Sequence, residues 1–244
     1  MGGSFDTLGN RVLWCLVPRL WSEATVREID PVYILLWFIV FLFSLSVHES
    51  AHAYVADRFG DDTGRVLGRV SLNPIVHIDP LGTILFPLIG IFGGMMIGWA
   101  KPVPVNPLNW REKDKANFWT SAAGPLSNLV IATACFIILK VIMELGFANE
   151  VLAGLQGNSL LAPIGEVLKI GIFLNLLLMV FNLIPIPPLD GSHALESVLP
   201  PDARRGYEQL QPYGFILLIA LLFTGALGYV MAPLQRFVVF LLLL

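Results

Sequence analysis

His48-Glu49-Ser50-Ala51-His52 holds the residues of this chain best suited to chemistry. On a helix, residues four apart lie about 40° apart around the axis and one turn along it, so both imidazoles point the same way. Two nitrogens so placed can share one tetrahedral metal at about 2.0–2.1 Å. Glu49, beside the first imidazole, can reach a water on that metal without being a ligand itself. Two imidazoles leave the set one short, because a hydrolytic site keeps three protein ligands and an open position.

The third ligand must be a carboxylate or histidine at the same depth, and Asp190 is the candidate. It ends the run Asn182-Leu183-Ile184-Pro185-Ile186-Pro187-Pro188-Leu189-Asp190-Gly191. Proline lacks an N–H and blocks helical continuation, so the helix from Ile164 must stop before these prolines and leave extended chain. Gly191 then permits a sharp turn. The competing reading is a cap or turn aspartate at a membrane surface. Two imidazoles, one carboxylate and an open position favour zinc, one ion per chain, over calcium or magnesium.

The elements carrying these residues are apolar. Of 244 residues, 56% are hydrophobic and 14% charged, with mean hydropathy +0.74. A soluble domain carries about a quarter charged residues, so the deficit points to a bilayer. The runs 32–47, 118–139, 164–184 and 215–230 are each apolar enough, alone or with their flanks, to cross it, which takes roughly 20 helical residues. Two histidines and a glutamate at the end of the first run are costly there, and a divalent cation is their simplest partner.

Residues 1–30 mix Arg11, Arg19 and Arg27 with Trp14, Leu16, Leu20 and Trp21. That reads as an interfacial helix rather than a cleavable signal. Cys15 and Cys135 form neither a disulfide framework nor a ligand pair. A net charge of −3 without a basic run gives no reason to expect nucleic acid.

Lys and Arg between the first two runs (Arg58, Arg65, Arg69, Lys101, Arg111, Lys113, Lys115), and Arg204 and Arg205 later, place those segments in the cytoplasm. The stretch 146–163 carries none and falls outside. Residues 81–99 are apolar but have cytoplasmic ends on both sides, so they should form a re-entrant hairpin; an ordinary loop with a surface hairpin is the alternative. Extended backbone around 70–78 or 103–105 is expected to line a cavity and offer an edge to an unwound substrate strand. His77 and His193 read as solvent-facing.

The expected architecture is an all-α polytopic membrane protein of about four to six transmembrane helices, with a re-entrant hairpin and short extended segments lining the cavity. One membrane-embedded domain covers 1–244: an interfacial segment 1–30, a catalytic core 32–191 and C-terminal helices 192–244.

H-E-x-x-H in a spanning helix, followed after another span by Asn182-x-x-Pro185 and Asp190-Gly191, resembles the site-2 protease family of intramembrane zinc metalloproteases. The entry to the middle helix, Ala123-Gly124-Pro125 with Asn128 one turn on, is similar to the family pattern. The chain resembles the compact branch without a PDZ or CBS domain. The resemblance implies that His48, His52 and Asp190 bind zinc and that Glu49 is the general base. It also implies that Asn182 positions the substrate or polarises its carbonyl. The implied partners are transmembrane-helix protein substrates in a lipid bilayer; the oligomeric state is left open. The implied setting is a prokaryotic inner membrane with the site towards the cytoplasm. A metal-binding transporter and a non-proteolytic scaffold are the rival readings. A transporter would spread polar groups across the membrane depth, whereas here they gather at one level on two segments.

Overall fold

In the computed structural model, residues 30–93, 98–152, 155 and 159–243 are described. The expected interfacial helix over 1–30 therefore lies outside the described residues, apart from Asp30.

Helix α1 (Pro31–Arg58) starts where the sequence stops opposing it. Asp30 stays extended and its Oδ1 accepts the Val32 N–H at 2.9 Å, while Pro31 takes the first turn, where no N–H is needed. Helix α1 ends at Arg58, and the chain turns away at Gly60, whose φ of 110° lies in the left-handed region that glycine tolerates. Asp61 follows, fully buried. It accepts from Thr63, the Asn106 N–H and the Asn109 amide. Burial pushes this carboxyl up, but those hydrogen bonds outweigh burial and hold it below the usual carboxylate range.

After a short turn at Pro74–His77, the chain enters a helical segment made of Pro80–Leu85 and helix α2 (Phe86–Gly93). It comes back at Trp99, whose N–H donates to the Gly82 carbonyl at 3.0 Å while Thr83 Oγ1 donates to the Trp99 carbonyl at 2.9 Å. Departure and return at one level are what the expected hairpin requires. Residues 98–106 then run without regular structure along the end of α1.

Helix α3 (Lys113–Ile142) and helix α4 (Leu161–Asn182) complete a core with α1. Lipid tails are as apolar as leucine, so spanning helices associate by close packing rather than by escape from water. Glycines supply that closeness. A Cβ at Gly171 would lie 2.7 Å from Cys135 Sγ, and one at Gly165 would lie 2.3 Å from the Val151 carbonyl. On its other side α4 buries Ile170 and Leu174 against Trp37, Phe41 and Leu45 of α1.

Helix α5 (Asp190–Val198) begins at the proposed ligand itself, and helix α6 (Pro201–Glu208) follows it. Two sequence expectations change here. Gly191 does not adopt positive φ; it is needed because a Cβ there would lie 2.3 Å from the Leu183 carbonyl, where α5 folds back onto the end of α4. The run 215–230 is not one helix: Gly225, at φ 69°, divides it into helices α7 (Gly214–Phe223) and α8 (Ala226–Leu243).

Among the described residues, three helical stretches are long and apolar enough to cross a membrane: Pro31–Arg58, Lys113–Leu152 and Leu161–Asn182. Pro80–Ile89 and Met231–Leu243 are shorter apolar helices. The protein is an all-α integral membrane protein.

Candidate metal centre and active site

The C-terminal turns of α1, the N-terminal third of α3 and the start of α5 meet at one end of this bundle. His48 and His52, one turn apart on α1, turn their Nε2 atoms to within 3.1 Å of each other. Asp190 Oδ2 lies 3.1 Å from His48 Nε2 and 3.4 Å from His52 Nε2. Both imidazoles are buried and Asp190 is half-buried.

The hydrogen bonds behind the imidazoles decide what these three atoms can do. His52 Nδ1 faces the Thr120 carbonyl at 2.6 Å. A carbonyl only accepts, so Nδ1 carries the proton. Pro125 has no N–H, so α3 lacks the backbone hydrogen bond to the Ser121 carbonyl, next to the one used here. For His48 the tautomer is set by a longer route. Asn175 lies 2.8 Å from the Gly171 carbonyl and 2.9 Å from Ser44 Oγ through its amide nitrogen. Its oxygen therefore accepts from the Asn128 amide at 2.8 Å. That leaves the Asn128 oxygen facing His48 Nδ1 at 2.7 Å, so this nitrogen also donates. Ser44, Asn128 and Asn175 are each fully buried.

In the neutral form that can bind a metal, both imidazoles present an Nε2 lone pair, aimed at each other and at a carboxylate oxygen. Asp190 Oδ2 is buried with no hydrogen-bond partner. Three such atoms converging repel unless a cation or a proton sits among them. Ligand atoms about 2.0–2.1 Å from a tetrahedral metal stand about 3.3 Å apart, and the observed separations are 3.1, 3.1 and 3.4 Å. These are the residues that could hold a metal, and the nitrogen–nitrogen–oxygen set suits zinc. An Asn128→Leu substitution strips His48 Nδ1 of its acceptor. Zinc affinity, measured by competition with a chelator, should fall about 10–100-fold.

Gly124 of α3 forms the wall behind the cluster. A Cβ there would lie 2.4 Å from His52 Nε2 and 2.5 Å from His48 Nε2. The Gly124-Pro125 step is not at the helix entry, as the sequence suggested, but about three turns inside α3, which begins at Lys113.

Glu49 lies one residue past His48 and is half-buried. Its Oε2 accepts the Val103 N–H at 3.0 Å. The Asn182 amide donates to the Leu178 carbonyl one turn back on α4, at 2.9 Å. His193 is exposed, as expected. His77 is not: it is 2% exposed, with Nε2 2.9 Å from the Ser71 carbonyl. It packs beside Ser50 of the motif because the turn at Pro74–His77 folds back onto α1. The extended edge expected around 70–78 is interrupted by that same turn.

Sequence reasoning missed Asn175, Ser44 and Thr120. Asn175 had left a signal, being an amide in the middle of an otherwise apolar span. Thr120 acts through its carbonyl and left none.

An all-helical membrane protein with a buried His-His-carboxylate cluster and an adjacent glutamate defines a membrane-embedded metallohydrolase. A family model, peptidase family M50, matches residues 36–224. The chain belongs to this family, the site-2 proteases, and is an intramembrane zinc metalloprotease. It is 41% identical over 195 residues to YwhC of Bacillus subtilis, covering 80% of this chain and 83% of that protein. It is 32% identical over 215 residues to Rip2 of Mycolicibacterium smegmatis, covering 85% of this chain and 75% of that protein. Both relatives carry "zinc metalloprotease" in their names. No solved structure matches the chain.

Proposed function

We propose that His48, His52 and Asp190 hold the zinc ion and that Glu49 is the general base for hydrolysis of peptide bonds in transmembrane-helix substrates. The observation that carries this reading is the convergence of three potential ligand atoms, with an acceptor behind each imidazole Nδ1 that turns its Nε2 towards the shared point. When bound, zinc supplies Lewis acidity, polarising a carbonyl and lowering the pKa of water towards about 7. With Oε2 held by Val103, Glu49 has Oε1 free to take a proton from the attacking water. As the water oxygen bonds the carbonyl carbon and the C–N bond breaks, Glu49 returns that proton to the leaving nitrogen. Asn182 would donate to the developing oxyanion after releasing the Leu178 carbonyl.

A substrate helix bonds its own backbone, so a few residues must unwind before a carbonyl can enter. The chain works as one membrane-embedded catalytic domain over 1–244, with core 32–191, N-terminal segment 1–30 and C-terminal helices 192–244. Arg58, Arg65, Arg111 and Lys113 sit at the end of the bundle that holds the site. That favours a cytoplasm-facing site, in the inner membrane of a prokaryotic cell.

The test uses the purified chain in vesicles with a single-span peptide substrate. Cleavage mapped to the apolar stretch, stopped by a chelator and restored by one zinc per chain, is expected. Cleavage that survives full metal removal, or zinc flux without cleavage, would overturn the proposal.

A further inference from the structure

The stretch 98–106 lies against the zinc helix as a strap. It is tied at three points. Trp99 is bonded both ways to Gly82 and Thr83. The Lys101 N–H donates to the His77 carbonyl at 2.8 Å, beneath a side chain that is itself 2% exposed. The Asn106 N–H donates to the buried Asp61 carboxylate at 2.7 Å. Between the last two ties the sequence is Pro102-Val103-Pro104-Val105. Neither proline has an N–H, and each stiffens the chain in extended geometry. Only Val103 and Val105 therefore carry backbone donors in that stretch, and the Val103 donor goes to Glu49 Oε2. The Val103 side chain is wedged as well: Gly64 packs against it, and a Cβ there would sit 3.2 Å from Val103 Cγ1 and 3.0 Å from Ala53 Cβ.

We infer that the strap is a positioning device for the base: the Val103 N–H fixes the Glu49 carboxylate, and Asp61 and His77 fix Val103. This rests on Glu49 being the general base. It gives Asp61, His77 and residues 99–106 a part in the reaction through geometry alone. A glutamate has three side-chain torsions, and an unheld carboxylate at a membrane surface would spread over several rotamers. Held at one oxygen, it presents the other in one direction.

Two variants of the full chain separate the N–H from the side chain. Val103→Pro removes the donor while suiting the extended backbone. Val103→Ala keeps the donor and trims the packing. In Val103→Pro, kcat should fall about 10–100-fold, with KM and zinc per chain near the wild-type values. Val103→Ala should recover most of that loss. A readout independent of turnover is amide exchange at Val103 in zinc-free protein: it should quicken about tenfold or more in Glu49→Ala, but not in Glu49→Gln, which keeps an acceptor oxygen.

Unchanged kcat in Val103→Pro would overturn the inference. So would equal losses in the two Val103 variants, or exchange indifferent to Glu49→Ala. If Val103→Pro does not fold, the exchange comparison decides alone. Failure of the underlying reading looks different: Glu49→Gln would still cleave, whatever the exchange at Val103.

Discussion

Glu49→Gln loses about 10²–10⁴-fold in cleavage while keeping its zinc, because it removes a proton acceptor and nothing that holds the metal. Glutamine is nearly isosteric and its amide oxygen can still accept from Val103, 3.0 Å away in the wild type. The strap, the helix and the ligand set therefore stay in place. What goes is a group able to take a proton from water and return it to nitrogen. Zinc per chain, measured on the same preparation as the cleavage assay, separates this loss from unfolding. A variant that cleaves at more than about a tenth of the wild-type rate would remove Glu49 from the proton path.

Gly124→Ala should act on the metal instead. The added methyl would sit 2.4 Å from His52 Nε2 and 2.5 Å from His48 Nε2, inside the space the cluster surrounds. Neither imidazole can easily withdraw. His52 Nδ1 is tied to Thr120 on the same helix as the glycine, and His48 Nδ1 is tied to Asn128 one turn further along it. Moving α3 away would also strain the Asn128–Asn175 bond to α4. Zinc affinity should drop by at least about 100-fold, a larger effect than loss of an outer hydrogen bond. Overpacking should cost about 1–3 kcal/mol of stability on top. Chelator competition and thermal unfolding in detergent measure the two parts. Wild-type zinc affinity in this variant would mean that the glycine is not the wall of the site.

How far the sequence could be read depended on how local each cause was. His48 and His52 were legible because an i, i+4 pair on a helix has one geometry. Asp190 was legible because the prolines before it forbid helix and deliver the chain back at the same depth. The hairpin expected over 81–99 rested on basic residues on both sides of an apolar stretch, and among the described residues the Trp99–Gly82 bond brings the two ends together.

What failed was tertiary. Gly191 looked like a turn glycine, yet its reason is the Leu183 carbonyl of another element. His77 looked like a loop histidine facing water, and only the packing of its turn onto Ser50 buries it. Apolar content over 215–230 resembled a span, but one glycine torsion at Gly225 divides it. The Val103–Glu49 bond joins residues with no local relation, so no periodicity could show it.

Catalysis as proposed requires one zinc ion shared by His48, His52 and Asp190. X-ray absorption at the zinc edge, on purified chain and on Asp190→Ala, tests it most directly. The wild type should show one zinc per chain with nitrogen and oxygen neighbours at about 2.0–2.2 Å and no sulfur. In Asp190→Ala, the carboxylate contribution should vanish or the zinc should be lost with it. A sulfur neighbour, or a zinc shell and stoichiometry untouched by Asp190→Ala, would contradict the account.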